Sequence, residues 1–503
     1  MLRKIRIAFA SFFSVCITLL FLDFTGTVHA WMGWMAKIQF LPACLALNVG
    51  VVAFLIVLTL LFGRIYCSVI CPLGVFQDVV AWVSRRAEKR RKRPYGYSPA
   101  KTWLRYGVLG LFVGALVAGV GSLAALLAPY SAYGRMVNGL LQPLWMWGNN
   151  WLAYLAERTD SYAFYETEVW MKSLPAFAVA VLTLVVIVVL ARRGGRTYCN
   201  TVCPVGSVLG VLARYSLFRP VIDTSRCNGC GLCVRSCKAA CIDGEAHRID
   251  YSRCVACFDC IEKCRQGAVR YERRGKLRRV AEEKPTVSAC REQTDGSRRG
   301  FIAVGAMLAT AATLRAQEKK VDGGLAVIRE KKIPERATRL TPPGSMSARH
   351  FLQHCTACQL CVSVCPSGVL RPSTDWERLM QPEMGYERGY CRPECTRCSE
   401  VCPTGAIRPI GREDKSSTQI GHAVWVRENC VPLTDGVECG NCARHCPTGA
   451  IQMVSSAPGN EDSPKIPVVN TERCIGCGAC EHLCPSRPFS AIYVEGHRRH
   501  RML

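Results

Sequence analysis

The spacing of the cysteines constrains this chain more than any other feature. There are 32 in 503 residues, and most recur in quartets. Cys355, Cys358, Cys361 and Cys365 spell C-x2-C-x2-C-x3-C with a proline after the last, and Cys474, Cys477, Cys480 and Cys484 repeat it unchanged. Cys391, Cys395, Cys398 and Cys402 widen the first gap by one residue; Cys430, Cys439, Cys442 and Cys446 widen it to eight. Upstream, Cys227, Cys230, Cys233 and Cys237 are followed by Cys254, Cys257, Cys260 and Cys264, with Lys238 and Arg265 where proline would stand. Such a count means disulfides, zinc or iron–sulfur clusters, and spacing decides among them. Zinc motifs pair two-cysteine knuckles across a longer gap. Here three close thiolates suit three irons of one cubane, and the fourth ligates the cubane of a partner motif. The expectation is about six [4Fe-4S] clusters by this stoichiometry. Adjacent distal quartets pair by default, although a first-with-fourth arrangement would use the same ligands.

Two half-motifs stand apart. "CSVICP" places Cys67 and Cys71 before a proline directly after an apolar run, and "CNTVCP" does the same with Cys199 and Cys203. Residues four apart share one helical face, and the proline is expected to end the helix. Together the four thiols would make one redox or metal site; independent dithiols and simple packing are the rival readings. Of the remaining cysteines, Cys16 and Cys44 lie in apolar runs, where the thiol acts as a small hydrophobe. Cys241 is either a bystander of its motif or a spare ligand. Cys290 carries no motif.

The apolar runs are Ile7–Leu22, Phe40–Phe62, Tyr106–Pro129, Leu174–Leu190 and Gly300–Leu314. The second and third hold 23 and 24 residues without a charge, enough to cross a hydrocarbon core of about 30 Å. The first and fourth read as spans too. The basic residues explain the formal charge of +26 better as topology than as nucleic-acid binding, since no nucleic-acid module accompanies them. "RRAEKRRKR" at 85–93 lies between the second and third spans, whereas the loop before the second offers only Lys37. Loop 130–173 has only Arg135, Arg158 and Lys172. Positive residues stay inside, so both Cys-Pro motifs and the segment after the fourth span face the cytoplasm. The same loop is rich in tyrosine and tryptophan, which reads as an interfacial belt or, more sharply, as a quinol headgroup site. "SRRGFIAVGAMLATAATLRAQ" at 297–317 pairs a twin arginine with a short apolar run, as an export signal does, and the chain beyond it would lie outside. No C-x-x-C-H is present and only His29 lies near the spans, so neither c-type nor membrane haem is expected; no dinucleotide or flavin signature is seen.

On these motifs residues 1–270 resemble NapH, the membrane ferredoxin-type subunit of periplasmic nitrate reductase systems. The stretches "FLPACLALN" and "GRIYCSVICPLGVFQD" are also similar to the C-terminal part of NosR. Residues 297–503 resemble NapG, with its twin-arginine start and four clusters. The resemblance implies a fusion of the two, oxidising quinol and passing electrons to a periplasmic redox enzyme or c-type cytochrome. The expected fold is therefore multidomain, with α+β bacterial-ferredoxin-like domains on both sides of an α-helical membrane domain. The boundaries are a four-helix membrane domain over 1–215, a cytoplasmic two-cluster domain over 216–270 and a basic linker over 271–296. The signal-like segment over 297–317 and a periplasmic four-cluster domain over 318–503 complete the chain. The expected location is the inner membrane, in contact with lipid and the quinol pool and without nucleic acid. The function expected is electron transfer; a maturation factor that reduces a metal or thiol in a periplasmic enzyme is the alternative, and a redox sensor a third reading.

Overall fold

The structure is a computed structural model that describes residues 1–87, 95–161, 163–170, 172–274, 329–457, 459–460 and 463–503. The linker expected over 271–296 is described only as far as Arg274; the twin-arginine segment 297–317 and Cys290 lie outside the described residues.

Apolar sequence sets the long helices. They are α1 (Leu2–Leu22), α2 (Val49–Phe62), α3 (Pro72–Ala87), α4 (Thr102–Val117), α5 (Gln142–Glu157), α6 (Leu174–Gly194) and α7 (Pro204–Ala213). Among the described residues, α1 and α6 are long and apolar enough to cross a membrane. The other two expected spans are not single helices. Residues 40–62 break into Phe40–Leu45 and α2, because Leu47 turns left-handed at φ 53° and Asn48 caps α2 by accepting from the Val51 amide. Residues 106–129 break at Gly119, φ 77°, between α4 and a short helix Gly121–Leu127. Left-handed backbone cannot continue a right-handed helix, so each run becomes two pieces. The aromatic stretch after Pro129 is helical as well. Tyr130 and Tyr133 are buried in the bundle, while Trp145, Trp147 and Trp151 are exposed on α5.

α1 and α6 each hold 21 residues, about 30 Å at ~1.5 Å per residue. Both connect the same two cysteine-rich units. At the start of α1, Arg3 meets Asp259 at 2.7 Å and also reaches Glu262, in the proximal unit. At its end Phe21 packs on Tyr130, ring centres 5.5 Å apart, beside the distal unit. Just before α6, Lys172 donates to Asn138 Oδ1 and Gln142 Oε1 at 2.9 and 2.8 Å. The amides of those two side chains donate in turn to the carbonyls of Gln359 and Ser363. Just after α6, the Arg196 amide donates to the Lys238 carbonyl at 2.9 Å. The helices thus hold two units apart at the two ends of one bundle.

Both units are built of short helices and antiparallel strand pairs. In the proximal unit, Phe218–Ile222 pairs with Val269–Arg273 and Ile242–Asp243 with Arg248–Ile249. In the distal unit, Leu370–Pro372 pairs with Pro382–Met384, Thr418–Trp425 with Ile492–Met502, and Ile451–Ser455 with Lys465–Val469. The apolar packing differs between them. One buried cluster runs from Ile17, Leu20 and Phe21 of the bundle into Leu360, Val362 and Ile420 of the distal unit. The proximal unit keeps a small core of its own around Cys241, Ile242, Ile249 and Val269.

Candidate iron–sulfur centres

The quartets fold alike because their spacing forces a special backbone. In the four regular motifs the second cysteine sits between two left-handed residues: Gly229 and Gly231, Ala256 and Phe258, Ala357 and Gln359, Gly476 and Gly478. Alternating hands turn successive amides toward one point, a concavity suited to anions. At Gly478 the choice is forced twice over, since a Cβ would also lie 2.3 Å from the Tyr386 ring. The third cysteine lies on a short helix, as Cys361 does in Leu360–Ser363 and Cys480 in Ala479–Leu483. Cysteine sulfurs then collect amides. Cys355 Sγ accepts from Ala357 at 3.4 Å, Cys402 Sγ from Ile407 at 3.4 Å, and Cys446 and Cys484 Sγ from Ala450 and Ala491 at 3.3 Å. Such bonds stabilise thiolate charge and tune cluster potential.

In the distal unit the fourth cysteine of each motif turns to its neighbour. One cavity is lined by Cys391, Cys395 and Cys398 with Cys365 of the preceding motif, and another by Cys430, Cys439 and Cys442 with Cys484 of the following one. The exchange is reciprocal: Cys402 acts electrostatically on Cys355, Cys358 and Cys361, and Cys446 on Cys474 and Cys477. The distal quartets are therefore joined first with second and third with fourth. In the proximal unit Cys254, Cys257 and Cys260 share a cavity with Cys237, and Cys227 and Cys230 act on Cys233. Cys241 lines that first cavity too, its sulfur 3.5 Å from Cys237 Sγ. It is inside the centre and not beside it.

Among the described residues, no three His, Cys, Asp or Glu side chains converge tightly enough to hold one metal ion. A cubane carries its irons at separate corners and asks for thiols spread around a cavity, which is what these sites offer. Burial pushes Cys391 and Cys442 up to about 11, and Cys358 and Cys477 up to about 12. Thiols placed so would ionise if iron supplied the charge that water no longer does, which would couple cluster binding to folding of the unit.

The two Cys-Pro motifs meet inside the bundle. Cys67, Cys71, Cys199 and Cys203 are each no more than 5% exposed, and the four thiols act electrostatically on one another. The short helices Ile65–Val69 and Thr197–Thr201 do end ahead of the prolines, but each carries only the first cysteine of its motif, so Cys71 and Cys203 do not share a helical face with Cys67 and Cys199. Pro72 and Pro204 open α3 and α7, where the first turn needs no amide donor from them. Cys203 caps α7, its sulfur accepting from the Gly206 amide at 3.3 Å. Two fully buried arginines cross between the motifs. Arg64 donates to the Cys199 carbonyl at 3.0 Å and approaches Cys67 Sγ at 3.8 Å; Arg196 donates to the Cys67 carbonyl at 2.7 Å. Gln77 Nε2 lies 3.2 Å from Cys199 Sγ. A search of the sequence for ligands alone misses these arginines, yet their signal is plain: "GRIYC" and "GRTYC" precede the motifs. Lys172 likewise reads in sequence only as a loop charge. Burial lowers its ammonium to about 8, and it knits the bundle to the distal unit beneath Cys361 and Cys365.

The class follows from these sites: a helical protein carrying ferredoxin-type [4Fe-4S] domains. Residues 46–91 and 175–223 match the family described as a 4Fe-4S binding domain (Fer4_5), and both matches contain a Cys-Pro motif. Residues 354–406 and 437–487 match the 4Fe-4S dicluster domain (Fer4_7), and residues 220–243 another 4Fe-4S binding domain (Fer4). The chain carries ferredoxin-type iron–sulfur domains and is related to NapH and MauN. It is 28% identical over 201 residues to the ferredoxin-type protein NapH of Haemophilus influenzae, covering 40% of this chain and 56% of that one. With the methylamine utilization ferredoxin-type protein MauN of Methylobacillus flagellatus it shares 26% identity over 176 residues, 35% of this chain and 48% of that one. Against the regulatory protein NosR of Stutzerimonas stutzeri the figures are 24% over 190 residues, 37% and 22%. The chain spans about half the length of the first curated relatives it matches. No solved structure matches it.

Proposed function

We propose that this protein crosses the cytoplasmic membrane several times and relays electrons from quinol to a periplasmic reductase or c-type cytochrome. The observation that carries the reading is the bundle: two cysteine units at opposite ends of helices about 30 Å long, with four buried thiols between them. Apolar side chains exposed on the bundle, among them Phe54, Val57, Leu111, Val117 and Leu182, support a lipid surround. The bias of Lys and Arg supports a cytoplasmic proximal unit and a periplasmic distal one. In this reading a NapH-like part is fused to a NapG-like part, and the chain uses six ligand sets. The proximal sets are Cys227, Cys230, Cys233 with Cys264, and Cys254, Cys257, Cys260 with Cys237. The distal sets are Cys355, Cys358, Cys361 with Cys402, and Cys391, Cys395, Cys398 with Cys365. The last two are Cys474, Cys477, Cys480 with Cys446, and Cys430, Cys439, Cys442 with Cys484. Cys67, Cys71, Cys199 and Cys203 form a further centre in the bundle. The clusters supply one-electron transfer, at potentials that ligand identity alone leaves anywhere between about −700 and +450 mV.

The test is anaerobic purification in lipid nanodiscs. Six sets require about 24 iron per chain, and a seventh raises this to about 28. A quinol analogue should then reduce clusters that dithionite also reduces. Well under 16 iron after full reconstitution, or clusters that dithionite reduces and quinol never does, would sink the relay. Reporter fusions after Arg270 and after Arg336 should read cytoplasmic and periplasmic respectively.

A further inference from the structure

We infer that quinol binds in the cavity beside His29, and that the His29–Asp23 pair accepts its proton. This deepens the quinol reading above and rests on it. Asp23 ends α1, and its carboxylate is fully engaged. Oδ1 accepts from the Thr25 amide and hydroxyl at 3.1 and 2.8 Å and from the Gly26 amide at 2.8 Å. Oδ2 accepts from the His29 amide and from ring Nδ1, both at 3.1 Å. A carboxylate only accepts, so Nδ1 carries a proton, and in the neutral tautomer Nε2 presents a lone pair. Nε2 is buried and has no hydrogen-bond partner, on a side chain only 7% exposed. A buried polar atom left so costs about 1–3 kcal/mol, and a ligand hydroxyl would satisfy it. Burial works against the Asp23 charge, yet the bonds from His29, Thr25 and Gly26 hold its carboxyl well below the usual range. It therefore remains an anion able to stabilise a His29 imidazolium.

His29 lines a cavity of about 310 Å³ between residues 26–37 and the distal unit, at the lower end of the ~300–1,000 Å³ usual for small-molecule sites. Trp31 and Trp34 form its rim and are 84% and 51% exposed. Amphipathic rings of this kind settle at the membrane–water interface, here where α1 ends, so a headgroup can enter while its tail stays in lipid. The opposite wall is Val364, Arg397 and Val401, which directly precede Cys365, Cys398 and Cys402 in sequence. Among the described residues, none of the aromatic stretch 130–173 lines this cavity. The charged groups facing His29 are Asp23, Lys37, Arg397 and Glu400.

The step balances as quinol to quinone with two protons and two electrons released. Both O–H bonds break. One proton goes to His29 Nε2, and the other leaves to water past Glu400, exposed at the cavity edge. The two electrons would pass singly to oxidised [4Fe-4S] clusters that the sets containing Cys361 and Cys398 would hold. No other oxidant is required.

The test uses the full chain, cluster-loaded, in nanodiscs, with decylubiquinone as the binding probe and decylubiquinol as reductant. Quenching of tryptophan fluorescence reads binding independently of turnover. Ala30→Trp, on an exposed cavity position, should weaken decylubiquinone binding at least 10-fold by filling the space. H29Q should keep binding within about 3-fold but slow cluster reduction by decylubiquinol about 100-fold, the scale of a lost general base. Dithionite should reduce the clusters of both variants fully, which separates these losses from misfolding. Unchanged binding and reduction in both variants would overturn this site while leaving the quinol reading intact. An unmodified protein that neither binds decylubiquinone nor accepts electrons from decylubiquinol would overturn the reading and the site together.

Discussion

Residues 63–78 and 195–210 are identical at seven of sixteen positions, and those shared residues make matching contacts. Each opens with a left-handed glycine, Gly63 or Gly195, and an arginine follows that crosses to the other motif's cysteine carbonyl. Each makes room for the incoming guanidinium with a glycine. A Cβ at Gly74 would lie 2.5 Å from Arg196 Nη1, and one at Gly206 2.7 Å from Arg64 Nη2. The contacts part at the last position. Asp78 receives both Arg196 (Oδ1 and Oδ2 at 2.9 and 2.8 Å) and Arg6 at 2.8 Å, with Lys238 at 3.7 Å. Its counterpart Gly210 leaves space for the Arg105 guanidinium, which a Cβ there would meet at 1.8 Å. Arg64 therefore has no carboxylate; it binds Asn200 Oδ1 at 2.8 Å and the Ser252 carbonyl at 3.2 Å. Arg196 thus meets a carboxylate that is also tied to the proximal unit through Lys238, whereas Arg64 meets neutral acceptors. The difference teaches that the repeat builds the thiol site symmetrically and then attaches the proximal unit asymmetrically.

The largest effect should come from breaking what the halves share. Cys71→Ser and Cys203→Ser should each remove the same spectroscopic signal and about four iron, while the ferredoxin-type sets keep theirs. If Cys71→Ser leaves Cys199 and Cys203 behaving as before under thiol labelling, the halves are independent dithiols. Next comes the position where they differ. Asp78→Asn takes the carboxylate from Arg196 and Arg6, while Lys238 keeps Asp259 at 3.0 Å, and should destabilise by about 3–5 kcal/mol, the scale of a broken buried pair. Thermal unfolding followed on the proximal unit would read it, and a change under about 1 kcal/mol, the scale of an exposed pair, would deny Asp78 its role as a hub. Arg196→Leu should then cost more than Arg64→Leu, because only the first takes a two-pronged partner from a buried carboxylate. The second loses neutral hydrogen bonds, about 1–3 kcal/mol. The reverse order would show that the sulfurs lean on Arg64 most. The smallest difference is expected at the shared glycines. Gly74→Ala and Gly206→Ala should each cost about 1–3 kcal/mol by overpacking, and nearly equally, since their carbonyl clashes match at 2.2 and 2.3 Å. Clearly unequal values would mean that the two arginines do not crowd the motifs alike.

Spacing alone brought the first three cysteines of a motif together, because that grouping is local. Cys355, Cys358 and Cys361 must wrap one point wherever they lie, and the left-handed residues at Ala357 and Gln359 follow from that demand. Apolar composition likewise gave α1 and α6. It did not give the breaks near Leu47 and Gly119, where a single left-handed residue outweighs the apolar run around it. Only the tertiary structure decided which motifs exchange their fourth cysteine, since first-with-second and first-with-fourth use identical residues and differ only in what packs beside what. It alone brought Cys67 near Cys199, 132 residues further along the chain, and gave Arg64 and Arg196 their crossed partners. His29 shows the limit most clearly. In sequence it is one histidine among aromatics near the end of a span. Asp23 lies six residues before it, but Val364 and Val401 come from the distal unit, and no local pattern specifies that long-range meeting of chain segments.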